Sequence, residues 1–316
     1  MESMHEKEVI KMSKLKTVLI TGNNGFIGSY FVNKYNKKYN IIGLDKEEAF
    51  DKNVCATQYI GDICNRELIQ SIFENHDIGI VIHTAAEKSL IICENNKEDV
   101  YETNYCASIY LASIAAKNKA KFIFISSDQV FPGTSPFSME STSVAPINYY
   151  GKLKTMVEAE LIKTKTAAIC RTALVFGDIP AEQISYFDSI KSSENLAVQG
   201  YIVQQTRYCL ENGLKIVLPD DEYVSPTHVA LLAEQLDQVI CNDVSGILHC
   251  CGNDRISRYE MGIAIAEYYG RKMDTICSKG TRNLLRPKDV SLNCQKTEKL
   301  LKMKFPDFRS MLHMYM

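Results

Sequence analysis

The chain has 316 residues, 46% of them hydrophobic and 23% charged, and carries a formal net charge of −2. That length suits one large α/β domain with an appended lobe. The small charge excludes a general electrostatic drive toward nucleic acid or an anionic membrane surface. No apolar stretch nears the ~20 residues needed to span a bilayer. The opening residues are charged, with no apolar core to serve as a secretory signal. Eleven cysteines are therefore read as reduced thiols of a cytoplasmic protein, with Cys106, Cys170 and Cys241 placed in apolar segments as small buried side chains. Cys250 and Cys251 beside His249 lack a spaced second pair of ligands, so no metal site is expected.

Residues 1–14 read as a polar lead-in. From residue 15 short apolar runs alternate with amphipathic stretches, the pattern of a parallel sheet wrapped by helices. The runs are 17–21, 39–44, 57–60, 78–83, 121–126 and 167–175, and the helical stretches are 26–38, 65–75, 98–118 and 148–165. After Gly177 the rhythm loosens. Residues 178–213 carry two helix-like patterns, 215–218 a short strand, and Gly246-Ile247-Leu248-His249-Cys250 a strand returning to the sheet. The expected architecture is a Rossmann-type, doubly wound parallel sheet over residues 15–177, completed by about 214–250. Residues 178–213 and 251–316 form a smaller C-terminal substrate-binding lobe.

The first run ends in three glycines, Gly22, Gly25 and Gly28. Such glycines let the backbone turn sharply and approach a pyrophosphate at the positive end of the following helix. Asn24, Gly25, Phe26 and Ile27 would then cradle a dinucleotide. Asp45, at the end of the second run, would hold a ribose hydroxyl. Asp62 and Ile63 would meet the adenine, and Thr84, Ala85 and Ala86 would let the cofactor lie against the fourth strand end. Asp45 repels a 2′-phosphate and favours NAD, while Lys46 would tolerate NADP.

Tyr150 and Lys154 lie one helical turn apart and share a face. A phenol titrates near 10, and a neighbouring ammonium is expected to lower that value toward a useful acid–base range. Ser126 and Ser127 end the fifth run. Adjacent strand residues point to opposite faces, so one of the two faces the crevice and can hold a carbonyl oxygen. Arg171 would contact a substrate phosphate or pair with a carboxylate such as Glu140. Arg286 would hold a diphosphate or anchor the late lobe. His83 and His228 read as packing residues.

These residues resemble the extended short-chain dehydrogenase/reductases, and among them the dTDP-4-dehydrorhamnose reductases. The resemblance runs from about residue 15 to residue 313. It rests on Thr21-Gly22-Asn23-Asn24-Gly25-Phe26-Ile27-Gly28, on Ser126-Ser127-Asp128-Gln129-Val130-Phe131-Pro132-Gly133 and on Asn148-Tyr149-Tyr150-Gly151-Lys152-Leu153-Lys154. Arg171-Thr172-Ala173-Leu174-Val175-Phe176-Gly177, Ser225-Pro226-Thr227 and Arg286-Pro287 extend it. It implies a catalytic triad of Ser127, Tyr150 and Lys154, with Lys154 also on the nicotinamide ribose and Asn104 in support. It further implies NAD or NADP as cofactor, and hydride transfer to the C4 keto group of a nucleotide-linked 6-deoxyhexose. Gln129 stands where these reductases carry a tyrosine, and Leu174 where many carry a tryptophan, so the departures gather on the substrate side. The same branch implies three further readings. One is a sugar-nucleotide epimerase or dehydratase that retains NAD. Another is a non-catalytic subunit similar to the β subunit of methionine adenosyltransferase. The third is a homodimer packed through helices 98–118 and 148–165.

Overall fold

The computed structural model describes residues 15–48, 55–177, 201–272, 276–278 and 284–316. The lead-in 1–14 and residues 178–200 of the expected helical region 178–213 lie outside the described residues. The first half of the chain alternates strand and helix: β1 (Thr17–Thr21), α1 (Phe26–Tyr35), β2 (Asn40–Asp45), β3 (Thr57–Ile60), α2 (Arg66–Asn75), β4 (Ile80–His83) and α3 (Leu90–Asn95). A helix α4 (Lys97–Tyr101) passes through a π turn at Glu102–Cys106 into α5 (Ala107–Lys117), followed by β5 (Lys121–Ser127), α6 (Tyr149–Thr164) and β6 (Ala168–Thr172). Later come the short strands β7 (Val175–Phe176), β8 (Ile216–Leu218), β9 (Tyr223–Val224) and β10 (Thr227–His228), and then β11 (Gly246–His249).

Seven strands form one parallel sheet in the order β11-β6-β5-β4-β1-β2-β3. The uninterrupted apolar runs are explained by burial on both faces. Val18 and Ile20 join one core cluster with Phe31 and Val32 of α1 and Leu232 and Leu236 of the helix Val229–Cys241. Leu19, between them, joins the opposite cluster with Ile69 of α2, Leu111 of α5 and Val157 of α6. Alternating strand residues thus feed two helical layers, which makes the doubly wound architecture.

Two sequence expectations change. The run 167–175 is not one strand: Leu174 takes a positive φ of 23°, which breaks the extended backbone. β6 stops at Thr172, and β7 pairs with β10 in a separate two-stranded ladder. Of the three cysteines expected in apolar burial, Cys170 is buried, Cys106 is half-buried and Cys241 is exposed. Among the described residues no helix is long and apolar enough to cross a membrane, and no group of side chains is arranged to hold a metal ion.

Candidate active site

The strand order reverses between β1 and β4, and in open α/β sheets the crevice outside the carboxyl ends of such strands is where ligands collect. A cleft of about 680 Å³ opens there. Its floor is the turn after β1. Gly22 has φ of +73°, and a Cβ on it would sit 2.8 Å from the Ala85 nitrogen and 2.8 Å from Thr84 Oγ1. Only glycine meets both the backbone angle and the close approach. Gly25 then caps α1 with no side-chain hydrogen bond, and the first turn carries no acidic residue. The positive helix end is left to an anion supplied from outside.

One wall carries the other expected cofactor residues. Asp45 Oδ2 accepts from the Asn24 backbone N–H at 2.9 Å, tying the glycine turn to the end of β2. Thr84 donates to the Thr21 carbonyl at 2.7 Å and fixes the end of β4 beside β1. Gly22, Asn24, Gly25, Phe26, Ile27, Asp45, Ile63, Thr84, Ala85 and Ala86 all line the cleft. Two expected residues do not. Asp62 turns its carboxylate to the Lys46 ammonium at 3.0 Å and to the Cys64 N–H at 2.8 Å. Asn104, in the π turn, accepts from the Glu87 N–H at 2.9 Å and donates to the Glu87 carbonyl at 2.8 Å. It therefore supports the cleft wall from behind.

The opposite wall brings together Ser127, Tyr150 and Lys154. Asn148 caps α6 by accepting from the Gly151 N–H at 2.7 Å. The same side chain donates to Gln129 Oε1 at 3.0 Å and to the Leu285 carbonyl at 2.9 Å, so the start of α6 is pinned to the end of β5. Gly151 is needed because a Cβ there would clash with the Gln129 carbonyl oxygen. The choice between the two serines is decided by their partners. Ser126 donates to buried Glu158 Oε1 at 2.5 Å, whereas Ser127 donates to Asp128 Oδ1 at 2.9 Å.

Lys154 is buried, donates to the Ile125 carbonyl at 2.8 Å and lies 4.5 Å from the centre of the Phe124 ring. Burial lowers its ammonium to about 8, against the opposing pull of Glu158. Tyr150 corrects an expectation. Its phenol is pushed above the ordinary range, not below it, because burial and the negative charge of Asp128 outweigh a hydrogen bond with Ser127. The phenol is thus held fully protonated at neutral pH, the state of a proton donor. Asp128 itself is lifted to about 6 by burial, opposed by hydrogen bonds from Ser127 and Gln129 and by the charge of Arg258.

Arg171 is not in the cleft. It is 2% exposed and forms a two-pronged pair with Glu158, its Nε at 3.0 Å from Oε1 and its Nη2 at 2.6 Å from Oε2. Its partner is Glu158 of α6 and not the anticipated Glu140, which accepts from Thr297 at 3.2 Å. Register explains this: Arg171 pairs with Ser126 on β5, and both turn toward the same carboxylate, away from Ser127. Arg286 does line the cleft, with Gln129 and Leu174. The sequence reading missed Glu222, Arg258 and Asp128, which line the same end. Glu222 Oε1 accepts from Arg258 Nε at 2.9 Å and from Arg286 Nη1 at 3.2 Å. One carboxylate is thus shared by two guanidinium groups, and Asp128 at the same end offsets the remaining positive charge when it is ionised. The signal for Asp128 was its place in the Ser126-Ser127-Asp128 strand end. Nothing local marks Glu222 or Arg258, which meet only through the tertiary fold. His83 and His228 are packing residues: His83 bridges Thr21 and Ser108 at 2.6 and 2.8 Å, and His228 stacks on Tyr315.

The model of the RmlD substrate binding domain matches residues 16–316. Methionine adenosyltransferase 2 subunit beta of Xenopus laevis is 27% identical over 301 residues, which are 90% of this chain and 82% of that protein. The probable low-salt glycan biosynthesis reductase of Haloferax volcanii is 26% identical over 273 residues, 85% of each chain. Among solved structures, dTDP-4-dehydrorhamnose reductase from Bacillus anthracis in complex with NADP has a TM-score of 0.80 at 23% identity, covering 95% of this chain and 97% of that one. With that model spanning residues 16–316, nearly the whole length, the chain belongs to the RmlD substrate-binding domain family.

Proposed function

We propose that this protein is an NAD(P)-dependent oxidoreductase that reduces the C4 keto group of a nucleotide-linked 6-deoxyhexose, as dTDP-4-dehydrorhamnose reductases do. The observation that carries the reading is the cleft that joins the α1 end to Ser127, Tyr150 and Lys154. Gly22, Asn24, Gly25, Phe26, Ile27, Asp45, Ile63 and Thr84 to Ala86 fit a dinucleotide, since the Gly22 turn leaves backbone exposed where any Cβ would intrude. When bound, the reduced nicotinamide supplies a hydride. Tyr150 gives its phenolic proton to the carbonyl oxygen, and Ser127 orients that oxygen by hydrogen bonding. Lys154 stabilises the phenolate left behind by its positive charge. Asp45 favours NAD, and the Lys46 ammonium already pairs with Asp62, which supports that preference. Arg286 and Arg258 suit the diphosphate, and Gln129 suits the sugar.

Mixing the protein with NADH or NADPH and a dTDP-4-keto-6-deoxy sugar such as dTDP-4-dehydrorhamnose should consume reduced cofactor, read by loss of its absorbance. Bound cofactor with no turnover on several keto-sugar nucleotides would overturn the reading. A second reading, a non-catalytic subunit, is favoured by the methionine adenosyltransferase 2 subunit beta relatives at 26–28% identity. Stoichiometric recovery of a partner enzyme, with full function kept by Tyr150→Phe, would favour it over the reductase.

A further inference from the structure

A serine hydroxyl has one hydrogen to give. Ser127 gives it to Asp128 Oδ1 at 2.9 Å, while its oxygen accepts from the Gln129 N–H at 3.2 Å. Asp128 is 4% exposed, lines the cleft, and its Oδ1 also takes Gln129 Nε2 at 3.2 Å. With its hydrogen committed to Asp128, the Ser127 oxygen has only lone pairs to offer any other partner, the Tyr150 phenol among them. A carbonyl oxygen cannot be held by lone pairs. We infer that Asp128 is a positioning residue that sets the direction of the Ser127 hydroxyl, withdrawing it from the substrate carbonyl when ionised and releasing it when neutral. The inference rests on the proposed reductase activity.

The competition follows from hydrogen-bond strength. A carboxylate is a much stronger acceptor than a ketone, roughly twice as strong as a neutral acceptor. A protonated carboxyl competes weakly and can itself donate to Ser127 Oγ. The groups facing Asp128 come from every element around it. They are Ser127 and Gln129 beside it, Tyr150 on α6, Arg258 at the start of the helix Arg258–Tyr268, Arg286, and Cys251 beyond β11. The two arginines share Glu222, so their charge only partly offsets the burial that lifts Asp128 to about 6. The ionised, withdrawing form is therefore present above about pH 6 and lost below it.

The test is the pH dependence of kcat for NADH with dTDP-4-dehydrorhamnose, in wild type, Asp128→Asn and Ser127→Ala, singly and combined. Wild type should lose turnover as pH rises through about 6, and Asp128→Asn should remove that limb. One oxyanion-type donor is worth on the order of a hundredfold in turnover, and Asp128 is almost wholly ionised about two pH units above its midpoint, so the variant should exceed wild type by tens of fold near pH 8. In the Ser127→Ala background, Asp128→Asn should change nothing in that limb. An unchanged limb in Asp128→Asn, or an effect that persists without Ser127, overturns the inference. A second measurement needs no turnover: the Asp128 side-chain carboxyl ¹³C resonance should titrate higher in Ser127→Ala, which lacks the bond that stabilises the ionised form. Equal midpoints overturn the inference, whereas absent turnover with shifted midpoints overturns the reductase reading alone.

Discussion

Burial holds the Lys154 ammonium near 8, below its ordinary 10.5. Between those values the unfolded chain binds a proton that the folded chain does not, so stability rises with pH across about 8 to 10.5. Below that window the full penalty of the buried charge is present. Replacing Lys154 by methionine removes the charge while keeping the stem volume, at the loss of the hydrogen bond to Ile125. Lys154→Met should therefore raise the urea midpoint at pH 7 by the equivalent of roughly 1–3 kcal/mol while abolishing turnover. A less stable variant would show that Lys154 is a structural cation. Tyr150→Phe keeps the ring and loses only the proton. Its kcat should fall on the order of 10²–10⁴-fold, with reduced cofactor still binding as measured by fluorescence. Glu158 is different, because it meets Arg171 and Ser126 out of solvent. Glu158→Gln leaves the Arg171 charge buried without its counter-ion and should cost ~3–5 kcal/mol in chemical denaturation.

Helix α6 delivers Tyr150 and Lys154, and its position depends on how tightly its first turn meets the end of β5. The Asn148 cap, its bond to Gln129 and the bare Cα of Gly151 are parts of one joint. Gly151→Ala favours the helix by propensity, about 1 kcal/mol better than glycine. Yet its Cβ must push the Gln129 carbonyl aside. The expected outcome is a kcat lowered at least tenfold with cofactor affinity unchanged, since the glycine turn after β1 is remote from the joint. Unchanged kcat would mean that the joint yields without moving the phenol. The same joint shows what was legible in the sequence and what was not. Uninterrupted apolar runs and the Tyr150–Lys154 spacing gave β1, β5 and α6 within a residue or two, because local chemistry dictates them. The turn at Leu174 was invisible, since leucine carries no signal for a positive φ. Arg171 stayed open between a substrate phosphate and a carboxylate because strand position places a residue near the cleft but does not say which face it takes; the carboxylate it meets is Glu158. Glu222 and Arg258 lie 36 residues apart, and their pairing is a product of the fold alone.

At the scale of the whole molecule, the cleft is walled by both ends of the chain. Gly22, Asn24 to Ile27 and Asp45 come from the turn after β1, the start of α1 and the end of β2, and Glu222, Arg258 and Arg286 from late segments. A dinucleotide seated on the α1 end would touch the first group, and a nucleotide sugar the second. Filling the cleft should therefore stabilise the folded chain by mass action, by about 2.7 kcal/mol at a ligand concentration a hundredfold above Kd. For a chain of this size that corresponds to a rise in Tm of roughly 4 °C, measured with NADH alone. Gly22→Ala should suppress the rise, because its Cβ meets Ala85 and Thr84 where the pyrophosphate would lie, and the strained φ should lower the ligand-free Tm as well. Tyr150→Phe should keep the rise. If wild type shows none with NADH or NADPH, the glycine turn is only a tight connection between β1 and α1. If Gly22→Ala responds as wild type does, the ligand sits elsewhere in the cleft, and the late arginines become the place to look for it.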